Sequence, residues 1–294
     1  MNPPTILGAV GVALTADEMT GGMTGDAVPF HEVMAGAEVP RSDDIVVRVP
    51  VWRGLSFLGV LAWLVSARLA TPGAAVHWHA PRKVVPSIRR TLGGLGWDLS
   101  SDGSAQSPPA GDPPEPPGFT AFGTWLDAGW GVFGGQRLDA GTEQLFDVVA
   151  AELGAGPVTV SDVGAGCGPL AIGLVLAGRA SDVVMSEVDS VAVHLARRNA
   201  ERAGVPHRLV FGDSPTAWPP TGTTVCNFPT HLPRAEADAL LGGLVARARA
   251  EPVFVVVHAS LRSRFEAGVG RHGASATLLA EASHAVLGIT RKTR

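Results

Sequence analysis

The stretch "VTVSDVGAGCGPLAIGLVLAG", residues 158–178, decides the fold. Its opening V-T-V-S-D-V is rich in β-branched residues and reads as a strand. Gly164, Gly166 and Gly168 come next within five residues, and an apolar run then reads as a buried helix. Glycine lets the chain turn sharply and brings its amides close to a ligand beside a helix N-terminus. Pro169 suits the first helical turn, where its missing N–H would have no partner. The spacing is Gly-x-Gly-x-Gly. A nicotinamide fingerprint needs glycine at 169, where this chain has Pro169, so a dinucleotide oxidoreductase is disfavoured. A turn that binds nothing is the bland alternative, and three glycines would then cost chain entropy without benefit.

From this stretch onward, strands and helices alternate. Strands are expected at 182–189, 207–213, 223–228 and 252–260, with helices at 190–204 and 234–250 and a closing hairpin at 276–292. That rhythm predicts a doubly wound, mainly parallel α/β sheet. In such sheets ligands bind beyond the carboxyl ends of the strands. The residues delivered there are Asp162 with the three glycines, then Glu187, then Asp213, then Asn227 within "NFPTH" (227–231). Glu187 lies about twenty residues beyond the glycine turn, where an acid can accept the hydroxyl protons of a ribose. Asp213 could accept a hydrogen bond from an adenine amine or cap the next turn, and the local sequence leaves both open.

In this combination the residues resemble the class I S-adenosylmethionine-dependent methyltransferases. Within them they are similar to the small-methyltransferase family that modifies exocyclic amines, such as guanine N2 in 16S ribosomal RNA. Four pieces carry the resemblance: "GVFGGQRLDAGTEQLF" (131–146), "DVGAGCGPLAIGL" (162–174), "SEVDSVAVHLARRNAERAG" (186–204) and "NFPTH". It implies a Rossmann-like seven-stranded methyltransferase sheet, S-adenosylmethionine as cofactor and S-adenosylhomocysteine as product. Gly164, Gly166 and Gly168 would then pass under the methionine end, with Asp162 holding the loop and Asp139 and Thr142 bordering it. Glu187 would bind the ribose, and Asp213 with Ser214 would sit near the adenine. Asn227, with the carbonyls around Phe228 and Pro229, would hold the substrate amine. His231 is either a proton acceptor or a structural hydrogen-bonder.

The family writes its last motif N-P-P-F-H. Here Asn227 and Pro229 keep their places, Phe228 replaces the first proline, and Thr230 replaces the aromatic ring that would stack on a flipped base. Together with the acidic charge balance, these departures place a small-molecule amine, a specialised metabolite or amino-acid derivative, ahead of ribosomal RNA as the expected acceptor. Guanine N2 of ribosomal RNA is the alternative, and a non-catalytic cofactor-binding scaffold is the second.

Residues 100–118, "SSDGSAQSPPAGDPPEPPG", hold six prolines among Ser, Gly and Asp, a linker composition. The expected organisation is therefore an N-terminal domain over 1–99, a linker over 100–118 and the methyltransferase domain over 119–294. The first part has a β-α-β-α order without a glycine turn. By resemblance it is a degenerate methyltransferase-like domain that does not bind cofactor. His77 and His79 share one face of its second strand. With no Cys or carboxylate nearby in sequence, they read as polar residues on an edge strand, and no metal is expected.

Composition sets the remaining bounds. The chain has 294 residues, 46% hydrophobic and 17% charged, with a formal net charge of −4. Residues 1–118 carry 8 Lys/Arg and 11 Asp/Glu, and residues 119–294 carry 15 and 16. Neither part has the global basic footprint of a nucleic-acid binder, although a local basic patch remains open. Two cysteines, Cys167 and Cys226, make neither a disulfide framework nor a metal spacing, which agrees with a reducing cytoplasm. The apolar run "GLSFLGVLAWLVSA" is shorter than the roughly 20 residues of a membrane span.

Overall fold

The computed structural model describes residues 6–7, 12–13, 28–50, 53–154, 158–212 and 214–291. It divides into two compact units. The first comprises Met1–Gly118, Asp127–Gln136 and Asp189–His194; the second comprises Phe119–Leu126, Arg137–Val188 and Leu195–Arg294.

In the first unit the described elements are β1 (Ile6–Leu7), β2 (Val12–Ala13), β3 (Val28–Pro29), α1 (Phe30–Met34), β4 (Ser42–Arg48), α2 (Ser56–Leu64), β5 (Ala70–His79), α3 (Val85–Gly93) and β6 (Ser104–Gln106). They build a six-stranded sheet in the order β3-β2-β1-β4-β5-β6. β4 and β5 run parallel, and α2 crosses between them through a π-helical turn at Val65–Leu69. The apolar stretch at 54–67 is thus divided between a nine-residue helix and this turn, burying Phe57, Leu58, Leu61 and Leu64. Among the described residues no helix is long and apolar enough to cross a membrane.

The edge-strand reading of His77 is corrected. β6, formed within the Pro-rich stretch, pairs antiparallel with β5 and sets Ser104 opposite His77, so β5 is interior to the sheet. A carboxylate also lies close: Asp44 Oδ1 is 3.4 Å from His77 Nε2, both side chains well exposed. Parallel pairing of β4 with β5 brings together residues that are 33 positions apart, which local sequence does not display.

Among the described residues of the first unit, the buried arginine is Arg53. Its guanidinium meets Asp189 Oδ1 at 2.5 Å and the Trp130 carbonyl at 3.4 Å. Gly131 adopts φ +77°, and a Cβ there would stand 2.4 Å from the Arg53 Cα, so only glycine fits this approach.

The second unit opens with the hairpin β7 (Gly118–Ala121) and β8 (Thr124–Asp127) and the helix α4 (Ala140–Glu152). It continues as β9 (Thr159–Val163), α5 (Pro169–Leu176), β10 (Asp182–Glu187), α6 (Ser190–Arg202), β11 (His207–Phe211), β12 (Gly222–Asn227), α7 (Arg234–Arg247), β13 (Val253–His258), α8 (Arg262–Arg271), β14 (Ala274–Glu281) and β15 (His284–Arg291). The sheet order is β11-β10-β9-β12-β13-β15-β14, parallel except for β15, which runs antiparallel to β13 and β14. This is the doubly wound seven-stranded sheet of class I methyltransferases.

Alternate side chains explain why both faces are covered. Val160, Val225, Phe254 and Val256 join one apolar cluster with α4 and α5; Val163, Cys226, Val253, Val255 and Val257 join another with α7 and α8. Strands buried on both sides need helices on both sides.

At the sheet's opposite, amino-terminal edge lies a polar network around Arg247. Its guanidinium donates to Thr224 Oγ1 and Glu251 Oε1, both at 2.7 Å, to Ser161 Oγ at 3.1 Å, and to the carbonyls of Pro215 and Trp218. Glu251 Oε2 accepts the N–H groups of Thr221 and Gly222 at 2.6 and 2.8 Å. Burial pulls the Glu251 carboxyl upward, but the Gly222 N–H, the Thr224 hydroxyl, the Thr221 N–H and Arg247 outweigh it, and its pKa ends below the ordinary value.

Candidate active site

The carboxyl ends of β10, β9 and β12 are level. Register pairs Ser186 with Val163 and Val225 with Asp162, which sets Glu187, Gly164 and Asn227 side by side on neighbouring strands. At roughly 4.8 Å per strand, Glu187 and Asn227 stand about 10 Å apart across the glycine turn.

The turn itself is held by backbone bonds. Gly164, Gly166 and Gly168 have φ of +72°, +57° and +85°. The N–H groups of Gly164 and Ala165 both donate to the Ser186 carbonyl at 3.0 Å, anchoring the loop to the next strand. A Cβ at Gly168 would meet Met185 Sδ at 3.0 Å and Ile172 Cδ1 at 3.2 Å, so backbone conformation and packing both call for glycine. Asn199 donates to the Cys167 carbonyl at 2.9 Å from within the interior.

Two carboxylates flank this loop. Glu187 Oε2 accepts the Gly166 N–H at 2.8 Å, and its Oε1 accepts the Val188 N–H at 2.7 Å. Asp162 is almost wholly buried beneath the loop, and its Oδ2 has no hydrogen-bond partner. Burial, with a smaller push from Glu187 and against the Ala171 N–H, raises the Asp162 pKa from 3.8 to about 7. The neighbouring Cys226 thiol is pushed far above its ordinary range by burial and by the charges of Asp162 and Glu187, which makes it inert.

On the other side of the turn, Asp139 caps α4, its Oδ2 accepting the Thr142 N–H at 3.1 Å. That same Oδ2 accepts from Asn227 Nδ2 at 2.9 Å, and the Thr142 hydroxyl accepts the other amide hydrogen at 3.0 Å. A carboxylate only accepts, so the amide nitrogen of Asn227 must face Asp139. The Asn227 carbonyl oxygen is therefore fixed on the side away from α4. This link spans 88 residues and has no local sequence signal.

The rest of the motif lies differently. The Phe228 N–H continues the sheet to the Val256 carbonyl at 3.0 Å, and its ring packs edge-on against Phe265 with centroids 5.3 Å apart. Pro229 is half-buried; Thr230 and His231 are exposed. Ser214 is exposed and bonds Thr216 at 3.0 Å. Asp213 lies outside the described residues.

Comparison with known proteins bears directly on this arrangement. Residues 124–252 match the family described as "Methyltransferase small domain". The match covers a little under half of the chain. It contains the glycine turn, Glu187 and Asn227. Two curated relatives align. The ribosomal RNA small subunit methyltransferase C of Chromohalobacter salexigens is 35% identical over 121 residues, 40% of this chain and 35% of the relative. The ribosomal RNA large subunit methyltransferase G of Alcanivorax borkumensis is 31% identical over 173 residues, 54% of this chain and 43% of the relative. The chain spans less than half the length of either. A solved T. thermophilus 16S rRNA N2 methyltransferase, in complex with AdoMet and guanosine, shares the fold with a TM-score of 0.67 and 18% identity, over 96% of this chain and 81% of that one.

These relatives correct one expectation. Phe228, Thr230 and the acidic balance favour a small-molecule amine, but both curated relatives are named for ribosomal RNA and neither for a small molecule. The departures in "NFPTH" and the net charge do not outweigh that kinship.

Proposed function

We propose that the protein methylates the exocyclic N2 of a guanine in ribosomal RNA, with S-adenosylmethionine as donor. The observation that carries this reading is the fixed carbonyl of Asn227, held by Asp139 and Thr142 at the carboxyl edge of the sheet. The residues present fit the cofactor: a left-handed glycine turn, a buried carboxylate oxygen without a partner beneath it, and an acid at the next strand end. Gly164, Gly166 and Gly168 would hold its methionine end with Asp162, Asp139 and Thr142; Glu187 would take the ribose, and Asp213 with Ser214 the adenine side. When bound, the cofactor supplies a methyl sulfonium that needs alignment more than activation.

The protein's task is then to prepare the amine. The lone pair of an aromatic amine is delocalised into its ring. The Asn227 Oδ1 accepts one N–H, and a carbonyl at Phe228 or Pro229 accepts the other, which turns the lone pair out of conjugation and aims it. Because Asn227 is already bonded on its nitrogen side, this acceptor does not reorganise during the reaction. His231, exposed beside the motif, accepts the released proton directly or through water. A cytoplasmic location accompanies a ribosomal substrate.

Labelled S-adenosylmethionine offered to purified small and large ribosomal subunits tests the reading. We expect label in one ribosomal RNA, released as N2-methylguanine on digestion. Label confined to a small-molecule extract, or to another base position, overturns it.

A further inference from the structure

Beside "NFPTH" lies a groove of about 280 Å³, bounded by the motif and by one face each of α7 and α8. From α7 come Arg234, Ala237, Asp238 and Leu241, at helical spacing; from α8 and the residue before it come Leu261, Arg264, Phe265, Gly268 and Arg271. Gly268 explains why the helices close at one end, since a Cβ there would stand 2.6 Å from Leu241 Cδ2. The other end opens past Phe228, Pro229 and Thr230. Its floor is apolar and aromatic, with the Phe228 ring against Phe265.

The rim carries more cation than the fold uses. Arg271 is paired with Asp238 at 3.4 Å, and His272 shares the same carboxylate. Among the described residues, Asp238 is the sole acid lining the groove. Arg234 and Arg264 are exposed and make no ion pair or side-chain hydrogen bond among the described residues. Both also sit in the first turns of their helices, Arg234 as the first residue of α7 and Arg264 as the third of α8. A cation there is opposed by the helix dipole, so neither position serves stability. Two helix N-termini and two uncompensated guanidinium groups therefore sum to a local positive potential in a chain whose net charge is −4.

We propose that this groove binds the RNA strand adjoining the target guanine, with Arg234 and Arg264 on backbone phosphates and the half-buried Phe228 ring, backed by the buried Phe265, receiving a neighbouring unstacked base. An arginine rim over an aromatic floor is the combination that holds single-stranded nucleic acid. Phe228, which lines the groove, directly follows Asn227 in the chain, so the bound strand adjoins the methylated base. The absence of an aromatic at Thr230 is then compensated by Phe228, two residues earlier in the same motif. The proposal rests on the ribosomal RNA reading and assigns it a contact surface.

Fluorescence anisotropy with a labelled single-stranded 12-nucleotide RNA tests it without requiring methyl transfer. Arg234→Gln/Arg264→Gln should weaken binding on the order of tenfold and lower the salt slope by about 1.4, near 0.7 for each phosphate contact on a single strand. Calorimetric binding of S-adenosylmethionine reports that the variant is folded. Unchanged affinity and slope, or no RNA binding by the parent protein, overturns the groove. If ribosomal subunits are methylated with the same KM by parent and variant, the groove fails while the ribosomal function stands. If the parent binds the RNA through these arginines but labels no subunit, the function fails while the groove stands.

Discussion

The two units share a building plan and differ at their strand ends. Each has parallel strands joined by helical crossovers, and each holds a buried arginine, Arg53 in the first and Arg247 in the second. In the first, β4 runs into Val49-Pro50 and β5 into Ala80-Pro81, and each proline opens a turn, its carbonyl accepting the N–H of Arg53 at 2.9 Å or of Val84 at 3.0 Å. In the second, the corresponding ends deliver a left-handed glycine turn, Glu187 and Asn227. A sheet alone therefore carries no chemistry. The few residues just past each strand decide whether its end becomes a site, and substitutions at both edges of the sheet probe that division.

The largest expected effect lies at the edge of the second unit's sheet that carries no chemistry. Arg247→Ala leaves Glu251 buried with its ionic partner gone, both side chains being about 2% exposed. Breaking one half of such a pair costs about 3–5 kcal/mol. Urea unfolding monitored by circular dichroism should register that loss. A loss below about 1 kcal/mol would show that the network is not what braces β9 against β12.

Slightly smaller is the effect of Asn227→Ala at the chemical end. Removing one preorganised partner of the reacting group costs on the order of 10²–10³ in kcat. Binding of S-adenosylmethionine should persist, because Asp139 stays in place as the cap of α4 through the Thr142 N–H without Asn227. An active Asn227→Ala variant would end the amine-cradle mechanism. Asp139→Asn would sharpen it, since an amide at 139 no longer dictates which way the Asn227 side chain faces.

These two residues also show what the sequence discloses. The strands from 159 to 227 and the helices at 169, 190 and 234 were legible because two-residue and helical periodicities are local. α8 was not, because Gly268 and Gly270 dilute its helical signal and only Phe265 and Val269 mark its buried side. β1 to β3 are two residues each, too short for any period to appear. The site residues were legible as strand ends. The Asp139–Asn227 bond, the partner of Arg247 on β12 and the Arg234–Arg264 groove were not, since each is made by chain segments that only the sheet brings together.

Asp162 gives a pH-dependent effect. Its folded pKa lies near 7 against 3.8 for an ordinary aspartate, because burial disfavours the charged form. Between about pH 4 and pH 7 the unfolded chain has lost this proton while the folded one still holds it. Stability should therefore fall as pH rises through that window, by up to about 1.4 kcal/mol per unit, and level off above pH 7. Urea titrations of parent and Asp162→Asn at pH 5, 6, 7 and 8 isolate the contribution. A difference between the two proteins that does not change with pH would remove Asp162 as its source.

The smallest effect belongs to the first unit. His77 and Asp44 form an exposed pair across β4 and β5. Among the described residues no group of three His, Cys, Asp or Glu side chains could hold a metal. An exposed pair of this kind contributes about 0–1 kcal/mol. His77→Ala should thus shift the unfolding midpoint barely, and added zinc should stabilise parent and variant alike. A zinc-dependent gain lost with His77 would mean that the first unit's strands carry a site after all, and that the contrast between the units is one of ligand rather than of strand ends.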